Sequence, residues 1–343
     1  MDGFLATSTL AGSLLAGMDG MRRTLRASIG CVGIGLHSGA RVAMTLHPAS
    51  PGAGIRFRRT DIGLEIAARF DQVADTRLCT ALGVSDRPAA ERIGTVEHVL
   101  AAFVGAGVHD ALVELDGPEV PILDGSARDI LFLIDCVGTV ANGLPVSVLE
   151  VLKPIRVSET EEDDSAWAEL RPAPGNAGWS AAFEAALTID FPNTAIGRQS
   201  LAVRLTPQTF RHALAEARTF TLAEDVARLR AAGLARGGSL ANAVVVDGPM
   251  VVNPTGLRSA DEFVRHKLLD VIGDLSLAGY PISGRFSGYR SGHALNNRLL
   301  RALFADRSAW RVVEPDWSMA PVGRMPALRG NAAARPPALA TAA

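Results

Sequence analysis

In the run Phe263-Val264-Arg265-His266-Lys267-Leu268-Leu269-Asp270, an imidazole and a carboxylate stand four residues apart. On a helix that spacing stacks His266 and Asp270 on one face, which is how a helix presents two ligands to a single divalent metal. Asp274, four residues further on, continues the face as an acceptor able to orient a nearby imidazole. The bland alternative is a solvated i,i+4 ion pair on a surface helix. Against it stand Phe263, Val264, Leu268, Leu269, Val271, Ile272 and Leu275, which make the segment apolar nearly all round. Such a helix is expected to be buried, where unpaired charges are costly.

Glu97-His98 is a second pair of interest. A histidine ligand beside a glutamate puts a general base within reach of a metal-activated water, although the same dipeptide near a helix start also serves merely as a favourable charge on the helix dipole. Third, Ser291-Gly292-His293 follows Gly284 and Gly288 and opens a helical run, which suits a histidine exposed at a cleft as a proton donor, with Asp274 as a candidate counter-charge. His37, His47, His109 and His212 find no partner from spacing. The glycine pattern 33–39 (GIGLHSG) resembles a phosphate loop, but its third glycine is one place late and a strand follows. Ser38 and Ser291 lie in no GxSxG elbow, so a serine hydrolase is disfavoured.

These residues need elements to hold them. Strands are expected at 41–46 and 55–58, and again at 111–115. Thr95 is read as the N-cap of a helix through Val96, Val99, Leu100 and Phe103 that stops at the glycines at 105 and 107, and a second helix is read at 127–137, ending at Gly138. A strand is expected over 146–157, with the acidic 159–164 as a solvated hairpin tip. Thr206-Pro207 is a cap followed by Pro at N1, opening a helix to about Ala217. Further helices are expected at 223–232, 259–277 and 294–304, and further strands at 243–246 and 250–252.

Composition narrows the classes. The chain has 343 residues and is 48% hydrophobic, enough to bury a large core in two globular units. A formal charge of −2 without long single-sign blocks excludes an electrostatic grip on nucleic acid or an anionic membrane. Cys31, Cys79 and Cys136 are odd in number and widely spaced, which fits reduced cytoplasmic thiols. Asp2 precedes the mildly apolar 5–17 and no basic region does, which argues against a secretory signal. No apolar run approaches the ~20 residues of a membrane span. Residues 1–22 and 318–343 are expected to be disordered tails, with Met18 or Met21 as alternative starts.

Taken together, segments 33–39 (GIGLHSG), 75–80 (DTRLCT), 95–101 (TVEHVLA), 118–127 (PEVPILDGSA), 218–220 (RTF), 261–274 (DEFVRHKLLDVIGD) and 291–297 (SGHALNN) resemble the UDP-3-O-acyl-N-acetylglucosamine deacetylase family of lipid A biosynthesis. They span about 23–316, and the two longest are very specific. The resemblance implies an α+β fold of two similar two-layer sheet and helix domains, 23–145 and 146–317, each with a small insertion, near 61–79 and 190–205. The active site would lie between them.

The resemblance also implies a cytoplasmic enzyme, a monomer with one catalytic Zn2+ (Fe2+ as the cellular substitute) on His98, His266 and Asp270. Glu97 would be the base and His293 the acid, held by Asp274, with Thr219 at the oxyanion and Lys267 on the sugar or its phosphate. Phe220 would pack on the hexose, while Asp190, Phe191 and Asp225 would lie toward the uridine. Leu78 and Cys79 would also meet substrate. Residues 192–197, with Leu222, Ala223 and Val226, would line a passage for the acyl chain. Two competing readings are a same-fold zinc amidohydrolase acting on another acylated nucleotide sugar and a silent nucleotide-sugar binding protein. The second gives no reason for Glu97, His293 and all three ligands to occur together.

Overall fold

The computed structural model describes residues 20–84, 87–160, 165–174 and 182–315. Residues 1–19 and 316–343, and with them nearly all of both expected tails, lie outside the described residues, as do 161–164 of the acidic tip. Met21 and Arg22, expected in the N-terminal tail, instead open the strand Met21–Leu25, where Asp110 binds the Arg22 guanidinium. This strand pairs antiparallel with Thr139–Pro145.

The protein is an α+β fold. In the first half, alternation of buried Val42, Met44 and Leu46 with outward neighbours makes Arg41–Pro48 a one-faced strand. It belongs to a five-stranded sheet ordered Ile29–Ile34, Arg41–Pro48, Ala111–Leu115, Ile55–Arg59, Leu64–Ala67. Only the contact of Ala111–Leu115 with Ile55–Arg59 is parallel. The second half builds a seven-stranded sheet around Ile282–Tyr289, which runs parallel to Phe183–Phe191 and antiparallel to Trp167–Arg171. Residues 190–205, expected as an insertion, complete a long hairpin of that sheet, Phe183–Phe191 with Gly197–Arg204. The expected strand over 146–157 is two strands, Val148–Val151 and Ile155–Ser158. Pro154 between them has no N–H to give a ladder, so the pairing breaks there.

Among the described residues six α-helices accompany the sheets: α1 Glu97–Ala106, α2 Arg128–Val137, α3 Pro207–Thr209, α4 Ala223–Ala231, α5 Glu262–Ser276 and α6 His293–Ala305. None of the described helices is long and apolar enough to cross a membrane. Thr206 caps α3 by accepting from the Thr209 N–H, but the expected helix to Ala217 gives way to a π turn at Phe210–Leu214. Gly107, at φ +67°, ends α1 as expected. The start of α1 differs. Val96, not Thr95, stands at the N-cap, and the Thr95 hydroxyl instead donates to buried Glu119 at 2.9 Å. The reason is that Glu119 is sealed from water and needs donors, and its claim on Thr95 holds that residue at φ +57°, an unusual conformation for a β-branched side chain.

Helix α5 is the centre of the molecule, packed against α1, α6 and the hairpin of the second sheet. Phe263, Val264, Leu268 and Leu269 are fully buried, as the all-round apolar pattern requires. At its crossing with α1, a Cβ on Gly273 would stand far inside van der Waals contact distance of the Glu97 carbonyl oxygen. Glycine therefore sets the separation of the two helices that carry His98 and Asp270. Gly273→Ala is expected to cost about 1–3 kcal/mol through overpacking, and to weaken metal binding by moving α1 off α5. Thermal melting with and without metal checks both effects, and an unchanged melting temperature would refute the first.

Candidate metal centre and active site

His98 enters from the first turn of α1, His266 and Asp270 from the middle of α5. Their ligand atoms all lie within 4.8 Å of one another, and all three residues are buried. Asp270 Oδ1 lies 3.4 Å from His266 Nε2 and 3.6 Å from His98 Nε2, and has no hydrogen-bond partner although it is sealed from solvent. A buried carboxylate oxygen facing two imidazole nitrogens is what a divalent cation requires. The orientation of His266 supports the fit: a carbonyl can only accept, so Nδ1, 3.0 Å from the Ala217 oxygen, carries the proton and Nε2 turns its lone pair toward the cluster. Burial pushes His266 down to about 4, so it is neutral at physiological pH. Burial opposes charge on Asp270 too, but His266 and Lys267 outweigh it and hold the carboxyl well below its ordinary range.

Glu97 precedes His98 and turns into the same cleft. Its Oε2 accepts the Thr80 N–H at 3.0 Å, which leaves Oε1 facing His293 Nε2 across 3.9 Å. Burial pushes the Glu97 carboxyl up to about 7, against the pull of His293 and His98. His293, the first residue of α6, binds Asp274 Oδ2 through Nδ1 at 2.8 Å. Burial alone would lower His293, yet Asp274 more than offsets this and raises it to about 9. One carboxyl poised to lose its proton and one imidazolium poised to keep it thus face each other, the pairing that general acid–base chemistry needs.

A buried ion pair aligns the next strand. Arg218 is bound by Glu262, in the first turn of α5, at 2.8 Å, and the Thr219 N–H donates to Gly125 O at 2.8 Å. Thr219 therefore borders the cleft beside His266. Phe220 then sits edge-on to His266 at 6.3 Å, to Phe263 at 5.1 Å and to Phe191 at 5.7 Å, an aromatic path leading away from the cluster.

Of the residues singled out from sequence, Glu97, His98, Thr219, His266, Asp270, His293, Leu78 and Cys79 line one cleft, with Asp274 directly behind His293. Leu78 is half exposed there at φ +70°. Burial keeps the Cys79 thiol protonated, so it is no thiolate ligand. The Lys267 ammonium is 3.1 Å from Asp270 Oδ2, and Lys267 is not among the residues lining the cleft. Asp190 accepts from the Tyr289 hydroxyl at 2.8 Å, and Asp225 pairs with Arg228 on α4. Neither they nor Leu222 and Val226 border the cleft.

Sequence reasoning missed three contributors. His37 lines the cleft with both ring nitrogens buried and unpartnered, while its N–H and that of Ser38 donate to Glu119 at 2.9 and 2.8 Å. Thr80 and Asn296 both donate to Asp274. The signal for His37 was the GIGLHSG segment, which spacing alone leaves without a partner because that partner lies 82 residues away.

Known proteins share this chain over most of its length. The LpxC family model, described as UDP-3-O-acyl N-acetylglycosamine deacetylase, matches residues 22–305. A protein of Shewanella frigidimarina (strain NCIMB 400) is 43% identical over 299 residues, covering 86% of this chain and 93% of its own. One of Neisseria meningitidis serogroup C / serotype 2a (strain FAM18) is 42% identical over 300 residues, covering 86% and 93%. Both are named UDP-3-O-acyl-N-acetylglucosamine deacetylase. The match takes in α1, α5 and all of α6, the helices that carry Glu97 and His98, His266 and Asp270, and His293, and on that extent of similarity the chain belongs to the UDP-3-O-acyl N-acetylglycosamine deacetylase family.

Proposed function

We propose that the protein hydrolyses the N-acetyl group of UDP-3-O-(3-hydroxyacyl)-N-acetylglucosamine, giving acetate and the free sugar amine, the committed step toward lipid A. The observation that carries this reading is the facing pair Glu97 and His293 beside the His98–His266–Asp270 cluster, in a chain of this family. Zinc is the ion assigned to the cluster, with Fe2+ as the cellular substitute: two imidazoles and one carboxylate leave a coordination position open, as catalytic sites do. When bound, the ion supplies Lewis acidity toward the amide carbonyl and the attacking water.

The protein's own groups do the rest. Glu97 Oε1 takes a proton from the water as its oxygen attacks the acetyl carbon, and the Thr219 hydroxyl donates to the carbonyl oxygen as charge collects there. His293 then delivers its Nε2 proton to the nitrogen as the C–N bond breaks, so the sugar leaves as an amine. Asp274 holds the imidazole in place and favours its protonated form. Lys267 is assigned to the sugar or its phosphate, which requires it to leave Asp270. Phe220 is assigned to the hexose, Asp190, Phe191 and Asp225 to the uridine side, and Leu78, Cys79, Leu222 and Val226 to the acylated part.

The antiparallel closure of Met21–Leu25 on Thr139–Pro145 supports 23–145 and 146–317 as the two units. A cytoplasmic monomer without nucleic-acid partners or membrane insertion is the setting assigned. Three free cysteines and a formal charge of −2 support it.

The test is acetate release by the zinc-loaded protein from UDP-linked substrates that differ in acyl length, followed by mass spectrometry. Chelation should abolish release and added zinc restore it, and no acetate from any of them would overturn the proposal. The pH profile adds a check. With His293 raised to about 9, kcat/KM should fall on the alkaline side near that pH, because the acid is lost as the imidazole deprotonates. Asp274→Asn removes the carboxylate that raises it, so the alkaline limb should move to lower pH. A limb that stays put would refute the acid role of the pair.

A further inference from the structure

We infer that Thr80 is a positioning residue that orients the base and the acid of this site together. The inference rests on the reading of Glu97 as base and His293 as acid. Thr80 is the last residue of the DTRLCT segment, 1% exposed, and lies against the crossing of α1 and α5. Its backbone N–H donates to Glu97 Oε2 at 3.0 Å, and its hydroxyl donates to Asp274 Oδ1 at 2.5 Å. Its carbonyl accepts the Val96 N–H at 3.3 Å, which fixes Thr80 to the chain leading into α1.

Each bond constrains a different partner. The first chooses which Glu97 oxygen is tied down and leaves Oε1 as the one facing His293. The second occupies the Asp274 oxygen that His293 does not use, so the carboxylate cannot swing and its Oδ2 stays on Nδ1. Asn296 supports the same Oδ2 from one turn along α6, but it makes no bond to Glu97 that would link the two groups. A β-branched side chain suits the task, since its restricted χ1 keeps the hydroxyl aimed while the backbone N–H is fixed by the fold. The 3.9 Å between Glu97 and His293 is thereby set through one residue that binds Glu97 directly and His293 by way of Asp274.

The experiment uses the zinc-loaded full chain, with wild-type acetate release as its control. A silent wild type would reject the functional reading, whereas the Thr80 assignment is judged only relative to an active one. Thr80→Val keeps the shape and the N–H but removes the hydroxyl. It should lower kcat about 10- to 100-fold, with KM within about twofold and zinc content unchanged, as expected for loss of a buried bond to a charged group felt mainly in the transition state. Thr80→Ser should return kcat to within about threefold of wild type. In an Asp274→Ala background Thr80→Val should add almost nothing, because its route of action is already gone. The low-field Nδ1 proton of His293 should also shift in metal-free Thr80→Val. Should the valine variant not fold, Thr80→Ala enters the same cycle. Wild-type kcat in Thr80→Val, a serine variant as slow as valine, or full multiplication with Asp274→Ala would each overturn the assignment.

Discussion

Glu97→Gln is expected to lower kcat by about 10²- to 10⁴-fold, the range that a positioned general base contributes, while zinc content and KM stay close to wild type. Glutamine fills the same volume and its carbonyl oxygen can accept the Thr80 N–H in place of Oε2, so the cleft need not rearrange. What disappears is the function proposed for Oε1, taking a proton. His98, one residue on, is not disturbed as a ligand, and the metal therefore reports that the site is intact. Stability gives a second readout. The Glu97 carboxyl is raised from 4.5 to about 7 by burial, so in metal-free protein it disfavours the folded state increasingly as pH rises through that window. Metal-free Glu97→Gln should accordingly melt higher than metal-free wild type at pH 8. Steady-state acetate release with metal analysis decides the first expectation, and full turnover would remove Glu97 from the mechanism.

How far the site is legible in the sequence depends on the range of the interactions. His266 and Asp270 could be paired because helical periodicity is local and the apolar residues around them announced burial. Glu97-His98 could be suspected for the same reason, since both sit in one helical turn. The positioning residues could not be seen. Thr80 reaches Asp274 across 194 positions, Glu119 reaches His37 across 82, and neither carries a spacing rule that would predict the contact. Local rules also misassigned Thr95. A threonine before a helical run reads as an N-cap, but the buried Glu119 carboxylate, which also gathers the His37 and Ser38 N–H groups, takes its hydroxyl instead. The strands were legible where one face is buried, and failed between 151 and 155, where Pro154 interrupts a run that otherwise looks continuous.

The family resemblance supplied roles that composition and spacing did not, and the structure sorts them by what holds each residue. Thr219 and Phe220 are tied to α5 twice, through the Arg218–Glu262 pair and through His266 on Ala217 O, so their relation to the cluster is rigid. Asp190 and Asp225 are held by Tyr289 and Arg228 instead. An anionic uridine-side contact is in any case a matter of substrate-bound geometry, because a carboxylate helps a diphosphate-bearing ligand only when it addresses the ribose or base.

His266→Ala should separate metal binding from folding. Alanine is the strongest helix former, so α5 persists, and the cost to the metal-free fold is chiefly the Ala217 carbonyl left without its donor, on the order of 1–3 kcal/mol. The cost to the metal is larger. Losing a residue that merely supports a ligand weakens affinity about 10- to 100-fold, and removing a ligand outright should exceed that, because His98 and Asp270 alone leave the cation two protein bonds. Zinc that binds only the folded state raises its stability in proportion to the logarithm of ligand over Kd. Wild type should therefore melt at progressively higher temperature as zinc is added, and His266→Ala should scarcely respond at the same concentrations. This readout needs no substrate, and it contrasts with Glu97→Gln, in which the zinc response is kept and turnover is lost. If His266→Ala still bound stoichiometric zinc with wild-type affinity, the cluster formed by α1 and α5 would not be the metal site, and a base positioned beside it would have nothing to act with.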